Sequence, residues 1–528
     1  MTAVISALIL GLIANYSHGS IGSHRPITID AGIRKPISPY VYGMNFPEYI
    51  YDYSRHFPEW DALGLRFTMA RLGGNRMTGY NWENNASNAG NDFHNQNDAD
   101  MGESKEPGWT DRVFLETAQK HHAACLITIP TLGFVAADKG PNGDVNLTRN
   151  YLETRFRKSF ARKPGGYFVY PPVTTDQAVY QDECVAWIER IAKKNTPVWF
   201  VLDNEPDTWI STHSRICLTK PTYVSIIANN VEYGTAIKDV APNALVFGPA
   251  HYGWNGIVSF QDASDAAGRF FTDVYLDSMK QAANTAGHRV LDCYDIHYYP
   301  EARGDNFRVT DDKDSEAINA ARIQSPRSLW DPTYVETSWI TQKTGGKPIS
   351  LIPDLQERIK RHYPGTMLSI TEYTFGGNNN VSGTIAQADA LGIFGRYGVF
   401  AASNWGMAPK DRAIIAGFRS FLDYDGSGSR FADLGLRVGG QTPEANSVYA
   451  ALDSKNPKRM TLVVINKTAV SRAETVDIKH FVPTSVRAFT ISGTGFDRSI
   501  PTKCSVRSRG VSLSTPPFSV TTIELRGS

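Results

Sequence analysis

The chain has 528 residues, 41% of them hydrophobic and 20% charged, and its 54 Lys and Arg nearly cancel its 53 Asp and Glu, leaving a net charge of +1. This composition supports a large core and lacks both the basic excess of a nucleic-acid binder and the polybasic run of a protein that docks on anionic membranes. Five cysteines, at 125, 184, 217, 293 and 504, are odd in number and include no Cys-x-x-Cys pair, so neither a disulfide framework nor a zinc knuckle is expected.

Near the start, "VISALILGLIA" (4–14) is apolar and uncharged. It is shorter than the ~20 residues of a membrane span and has the length of a signal-peptide core, although no Lys or Arg precedes it. Residues 1–22 are therefore expected to serve export, with a buried N-terminal helix as the alternative. "PITIDAG" lies in the segment 23–36, which reads as a lone strand expected to pair with the sheet at the other end of the chain.

Eight short apolar runs then follow: "YVYGMNF", "RFTMARLGG", "ACLITIPTLG", "VWFVLDNEP", "ALVFGPAHY", "CYDIHYYP", "MLSITEYTFGG" and "GVFAASNWG". Helical patterns separate several of them. One is expected to begin at Thr174, where Thr174 and Gln177 have capping-box spacing; another carries Pro353 in its first turn and Pro364-Gly365 as its stop. Eight strands in βα alternation predict an α/β protein with a (β/α)₈ barrel over 37–435. After that the strands are short and alternating with no helical pattern between them, which predicts an antiparallel β-sandwich over 436–528.

Catalytic groups of such barrels lie at the C-terminal ends of the strands. The second run ends in Arg71 and Asn75, the fourth in Asn204-Glu205-Pro206, the sixth in His297-Tyr298, the seventh in Glu372-Tyr373 and the eighth in Asn404-Trp405. Two glutamates on the fourth and seventh strands would face each other across one mouth. Such a pair suits glycoside hydrolysis, one group protonating the leaving oxygen and the other attacking the anomeric carbon; retention requires the carboxyls to be about 5–5.5 Å apart. Asn204 is suited to bond a sugar 2-hydroxyl, and it can share the mouth with Glu205 only if the strand bulges or ends there. Arg71 would keep Glu372 ionised, and Tyr298 is expected to donate to the same carboxylate.

The segments "RLGGNRMTGYNWENNASNAGND", "LDNEPDTWISTHSRI", "LWDPTYVETSWI" and "SITEYTFGGNNNVSGTIAQADALGIFGRYGVFAASNW" closely resemble glycoside hydrolase family 44, and the likeness runs from about residue 25 to the C-terminus. The resemblance implies a barrel with a β-sandwich and retaining endo-hydrolysis of β-1,4-glucans, including soluble cellulose derivatives and xyloglucan, with xylan cut by some members. Carried over by motif, Glu205 is the acid/base and Glu372 the nucleophile. The substrate partner is then a β-1,4-linked polysaccharide, met by a secreted bacterial enzyme that is monomeric and free of the membrane. No appended module is apparent, so soluble chains are expected rather than insoluble cellulose.

His297, Trp82, Trp209, Trp330, Trp339 and Trp405 are further candidates for holding sugar, the tryptophans as stacking platforms. No cofactor is required by a carboxylate pair. "DYDGSGSRFAD" (423–433) is faintly like a calcium loop, so a structural calcium ion competes there with a polar turn. A xylanase or mannanase, or a non-catalytic carbohydrate-binding barrel, are the rival readings.

Overall fold

The computed structural model describes residues 26–46, 58–311, 313–493, 495–496 and 498–528. The apolar run at 4–14 lies outside the described residues. Eight parallel strands close a barrel in chain order: Gly43–Asn45, Met69–Leu72, Ala124–Ile129, Val198–Leu202, Val246–His251, Cys293–Tyr298, Met367–Tyr373 and Ala401–Asn404. They are called the first to eighth barrel strands below.

The side-chain period of two sorts each strand between two cores. In the fourth strand Val198, Phe200 and Leu202 pack outward into the helix layer, while Trp199 and Val201 point inward beside Met69, Leu126, Phe247, Cys293 and Ala401. The N-terminal mouth is plugged by rings: Tyr40 stands edge-on to Trp199 at 4.7 Å, and Phe247 and Phe400 flank that indole at 5.7 and 5.4 Å. Towards the other mouth the filling turns polar, with Asp295 accepting hydrogen bonds from Ser369 at 2.7 Å and Thr371 at 2.6 Å. Apolar filling thus seals one end and leaves the other for chemistry.

The helix expected from Thr174 begins later, at Gln181, and runs to Ile191. The residues before it, Ala178–Tyr180, join Phe134–Ala136 and Phe156–Phe160 in a small three-stranded sheet inserted after the third barrel strand. Gln177 has φ 62°, a left-handed conformation that a continuing helix cannot include. Sheet pairing therefore overrides the capping-box spacing.

Ten further strands form one continuous ladder that folds over its own apolar core. The N-terminal strand Ile27–Pro36 lies inside this ladder, antiparallel to Leu434–Gly439 and parallel to Arg472–Lys479. The sandwich is keyed to the barrel helix Val381–Tyr397. Buried Lys467 pairs with Asp389 at 2.7 Å and the Tyr449 hydroxyl donates to the same carboxylate at 2.6 Å. Gly392 is required on that helix, because a Cβ there would stand 2.3 Å from the Tyr449 ring.

In the loop 423–433 the carboxylates act as turn acceptors: Asp423 takes the Gly428 N–H at 2.6 Å, and Asp425 takes those of Ser427 and Ser429 at 3.0 and 3.1 Å. This is the bonding of a polar turn.

Candidate active site

The fourth strand stops at Leu202, and the chain then alternates into left-handed conformations, φ 62° at Asp203 and 43° at Glu205. Positive φ at a bulky residue is held only where the surroundings over-determine it. Buried Asp203 supplies that constraint, accepting the Thr78 hydroxyl at 2.6 Å, the Asn204 N–H at 2.8 Å, and the Thr131 N–H. The Glu205 N–H reaches the Ala250 carbonyl of the fifth strand at 2.9 Å, and the Trp209 indole donates to the Asn204 carbonyl at 3.0 Å. The strand ends, and so Asn204 and Glu205 both serve the mouth.

Glu372 reaches the mouth by another device. Between the sixth and seventh strands the register slips, so that Ile296 opposes Ile370 but His297 opposes Glu372. The extra residue, Thr371, keeps its hydroxyl inside the barrel on Asp295, and Glu372 also turns to the mouth.

Arg71, fully buried, ties the floor together. Its Nη1 donates to Glu372 at 2.7 Å and to Asn45 at 2.9 Å, and its Nη2 donates to Asn204 at 2.7 Å. Gly73 makes room for it, since a Cβ there would lie 2.3 Å from the guanidinium carbon. Asn204 passes the network on through its amide to Asn75 at 3.1 Å. His297 Nδ1 stands 2.8 Å from Glu205 and 3.4 Å from Glu372, and one oxygen of each carboxylate and a ring nitrogen all lie within 4.8 Å of one another.

Two acids this close and this buried cannot both ionise at their ordinary range. Burial pushes Glu205 well above the usual carboxyl range, and the charges of Glu372 and Asp207 push the same way. Burial raises Glu372 as well, but Arg71 and the Tyr299 hydroxyl oppose it. The first proton to leave the pair therefore leaves Glu372, and Glu205 keeps its own.

The tyrosine on Glu372 is Tyr299, at 2.7 Å, and not Tyr298. Parity decides this: His297 points into the barrel, so Tyr298 points out into the helix layer, where it is buried, and Tyr299 returns to the mouth. Trp82 is not a platform either; it is 1% exposed, stacked on Trp187, with its indole N–H on the Tyr180 carbonyl at 3.3 Å. Trp209 is buried as a brace for Asn204. Trp330 packs on Tyr397 and Trp339 on the outer core, and neither lines the cleft at the glutamates. Trp405 does line it, together with Tyr252, Tyr299, Phe93, Asp92 and Arg308, which sequence reading missed. Tyr252 and Tyr299 follow directly on barrel strands and their rings stand 6.3 Å apart; reading one residue past the sixth strand, with parity, would have found Tyr299, whereas Tyr252 reaches the mouth only because the fifth strand skips a residue at Ala250, which has φ 53°. Phe93 closes the short 3₁₀ helix Gly90–Phe93 and Arg308 belongs to the two-residue strand Phe307–Arg308, both outside the barrel strands, and they carry no such signal.

Comparisons with known proteins follow the same lines. The model of glycoside hydrolase family 44 matches residues 86–302. The endoglucanase of this family from Clostridium thermocellum superposes with a TM-score of 0.86 at 34% identity, covering 95% of this chain and 99% of that one. The chain belongs to glycoside hydrolase family 44. A Paenibacillus polymyxa xyloglucanase of family 44, solved with xyloglucan, superposes with a TM-score of 0.85 at 31% identity over 95% of this chain and 99% of its own. A beta-mannanase/endoglucanase A of Caldicellulosiruptor saccharolyticus is 37% identical over 474 residues, 84% of this chain but only 34% of that longer protein. The family 44 chain thus spans about a third of that relative's length.

Proposed function

We propose that this chain is a retaining endo-β-1,4-glucanase that cleaves soluble glucan or xyloglucan chains by double displacement, with Glu372 as nucleophile and Glu205 as acid/base. The observation that carries the reading is the carboxylate pair itself. One oxygen of each carboxylate lies within 4.8 Å of the other, a close approach that favours retention over inversion. The asymmetry of the pair supports these roles. Glu372, bonded to Arg71 and Tyr299, is the anion that attacks; Glu205 holds the proton that the leaving oxygen needs. Once Glu372 is glycosylated its charge is gone, and Glu205 can release its proton and activate water. Asn204, oriented by Arg71 and Asn75, is suited to the sugar 2-hydroxyl. Trp405, Tyr252 and Tyr299 offer rings on which sugar faces stack.

The names of the relatives support the substrate class: an endoglucanase and a xyloglucanase cover the same fold end to end. A monomer is proposed as the working unit. A polymer of this kind must be met outside the cell, and the apolar run at 4–14 suits export. No described helix is long and apolar enough to cross a membrane. The carboxylate pair supplies acid, base and nucleophile without a cofactor, and any calcium held by the protein is assigned a structural role.

Two variants test the mechanism. Glu372→Ala is expected to abolish turnover on every substrate. Glu205→Ala is expected to lose about 10²- to 10⁴-fold on polysaccharide, the usual worth of general acid–base catalysis, yet to keep glycosylation by aryl glycosides whose leaving phenol needs no proton, with azide restoring turnover. Equal loss of Glu205→Ala on both substrate types, unrescued by azide, would remove the acid/base role. A panel of carboxymethyl cellulose, xyloglucan, xylan and mannan measures the preference; strongest release from xylan or mannan would overturn the glucanase reading.

A further inference from the structure

His297 is fully buried at the bottom of the cleft, and neither step of the double displacement calls on it. Its surroundings are unusual. Nδ1 faces both carboxylates, at 2.8 Å from Glu205 Oε1 and 3.4 Å from Glu372 Oε2, while Nε2 is buried with no hydrogen-bond partner among the described residues. Burial, the charge of Arg71 and the neighbouring His251 hold the imidazole well below its usual range, so it stays neutral and carries one N–H. Glu372, held as the anion by Arg71 and Tyr299, offers only acceptors. The single ring proton therefore belongs on Nδ1, between two acceptors, and Nε2 keeps its lone pair.

We propose that His297 is a positioning residue for Glu205: its Nδ1–H occupies Oε1, so that the catalytic proton rides on Oε2, and it tightens on the carboxylate as that proton leaves. This role of His297 rests on the proposed acid/base role of Glu205. A carboxylic acid has two oxygens, and a proton on the one turned to the barrel wall cannot reach a glycosidic oxygen. By filling Oε1, the imidazole leaves the proton only the other oxygen. When Oε2 gives up the proton, Glu205 becomes an anion and the contact from Nδ1 becomes charge-assisted, which strengthens it as the leaving group departs. No bond is made or broken at His297. The same contact orients the carboxylate when it later takes a proton from water. The weaker approach to Glu372 Oε2 helps to hold the two acids at their short separation. The other charged or titratable groups facing this pair are Arg71 from the second strand, Asp92 from the segment after it, Asp207 from the segment after the fourth, His251 and Tyr252 from the end of the fifth, and Tyr299 and Arg308 from beyond the sixth.

Three variants test this. His297→Asn places an amide N–H near the position of Nδ1, His297→Gln carries its amide outward to the position of Nε2, and His297→Leu has no donor. Steady-state rates on xyloglucan or carboxymethyl cellulose should fall about 10- to 100-fold for Leu and Gln, the worth of one hydrogen bond to a charged group, mostly in kcat. The alkaline limb of kcat/KM should move to higher pH in both, because a donor that favours ionised Glu205 is gone. His297→Asn should recover most of the rate and return the limb towards its original position. Asn and Leu variants that lose equally, or a limb that stays in place in all three, would overturn the proposal. If the Leu variant fails to fold by circular dichroism, the wild-type enzyme decides: ¹⁵N spectra of the His297 ring should report Nδ1–H, and an Nε2–H tautomer would sink the idea. The Glu205→Ala assay on aryl glycosides stands apart. If it fails, the acid/base reading falls; if it succeeds while the His297 series does not, only the positioning role is lost.

Discussion

The two buried glutamates of this cleft differ in their neighbours, and a single hydroxyl tunes one of them. Tyr299 donates to Glu372 at 2.7 Å, and this bond lowers the carboxyl against the upward push of burial. Tyr299→Phe removes it, so Glu372 should ionise at higher pH. The proposed nucleophile must be ionised to attack; the acidic limb of kcat/KM is therefore expected to move to higher pH, with kcat falling about tenfold. A pH series on a soluble glucan checks both. Tyr298→Phe is the control: its ring lies in the helix layer, and the acidic limb should not move. An unchanged limb in Tyr299→Phe would show that Arg71 alone holds the anion. The two residues are neighbours in "HYY", and only strand parity tells them apart.

The turn after the fourth strand is an element whose shape is held from outside itself. Asp203 accepts from Thr78, Asn204 and Thr131, three groups on two different barrel loops and the turn itself. Asp203→Ala would leave these buried donors unpaired, at a cost of roughly 2–4 kcal/mol, and would release the left-handed Glu205 from its place. Thermal or urea unfolding should show the loss of stability, and kcat should fall by more than KM rises. An Asp203→Ala enzyme of normal stability and rate would mean that Ala250 and Trp209 hold the turn unaided. The stretch "VWFVLDNEPDTW" thus divides its polar residues: Asp203 builds, Asn204 is aimed, and Glu205 faces the chemistry. The bulge at Thr371 on the seventh strand does for Glu372 what the strand end does for Glu205.

Across the whole molecule, the sandwich is fastened to the barrel by an ion pair with essentially no exposure, Lys467 with Asp389, closed by Tyr449. Lys467→Ala leaves Asp389 buried without its counter-charge, and such losses cost about 3–5 kcal/mol. Urea titration should record that drop, while kcat on polysaccharide at a temperature where the variant is folded should stay near the wild-type value, since neither residue touches the cleft. Loss of activity in the folded state would show that the sandwich feeds back on the barrel mouth. The N-terminal strand Ile27–Pro36 joins the two ends of the chain: it is paired on both sides by strands from the last hundred residues.

By itself the sequence determined the architecture, because apolar runs of period two alternating with helical patterns have few ways to bury both faces, and it determined the glutamates, because strand ends at a barrel mouth are where charged groups can stand at all. The family motifs carried Glu205 and Glu372, and strand ends pointed to Arg71 and Asn204. Only the tertiary structure brought Tyr252 to the mouth, since the one-residue skip at Ala250 changes which face a side chain occupies and leaves no mark in composition. It alone separated Trp405 from Trp82, Trp330 and Trp339, because an indole in a motif reads the same whether its face meets a sugar or another indole. The juxtaposition of His297 with both acids belongs to the same class: three residues from the fourth, sixth and seventh strands, up to 167 positions apart in the chain (205 to 372), meet within 4.8 Å because the barrel closes.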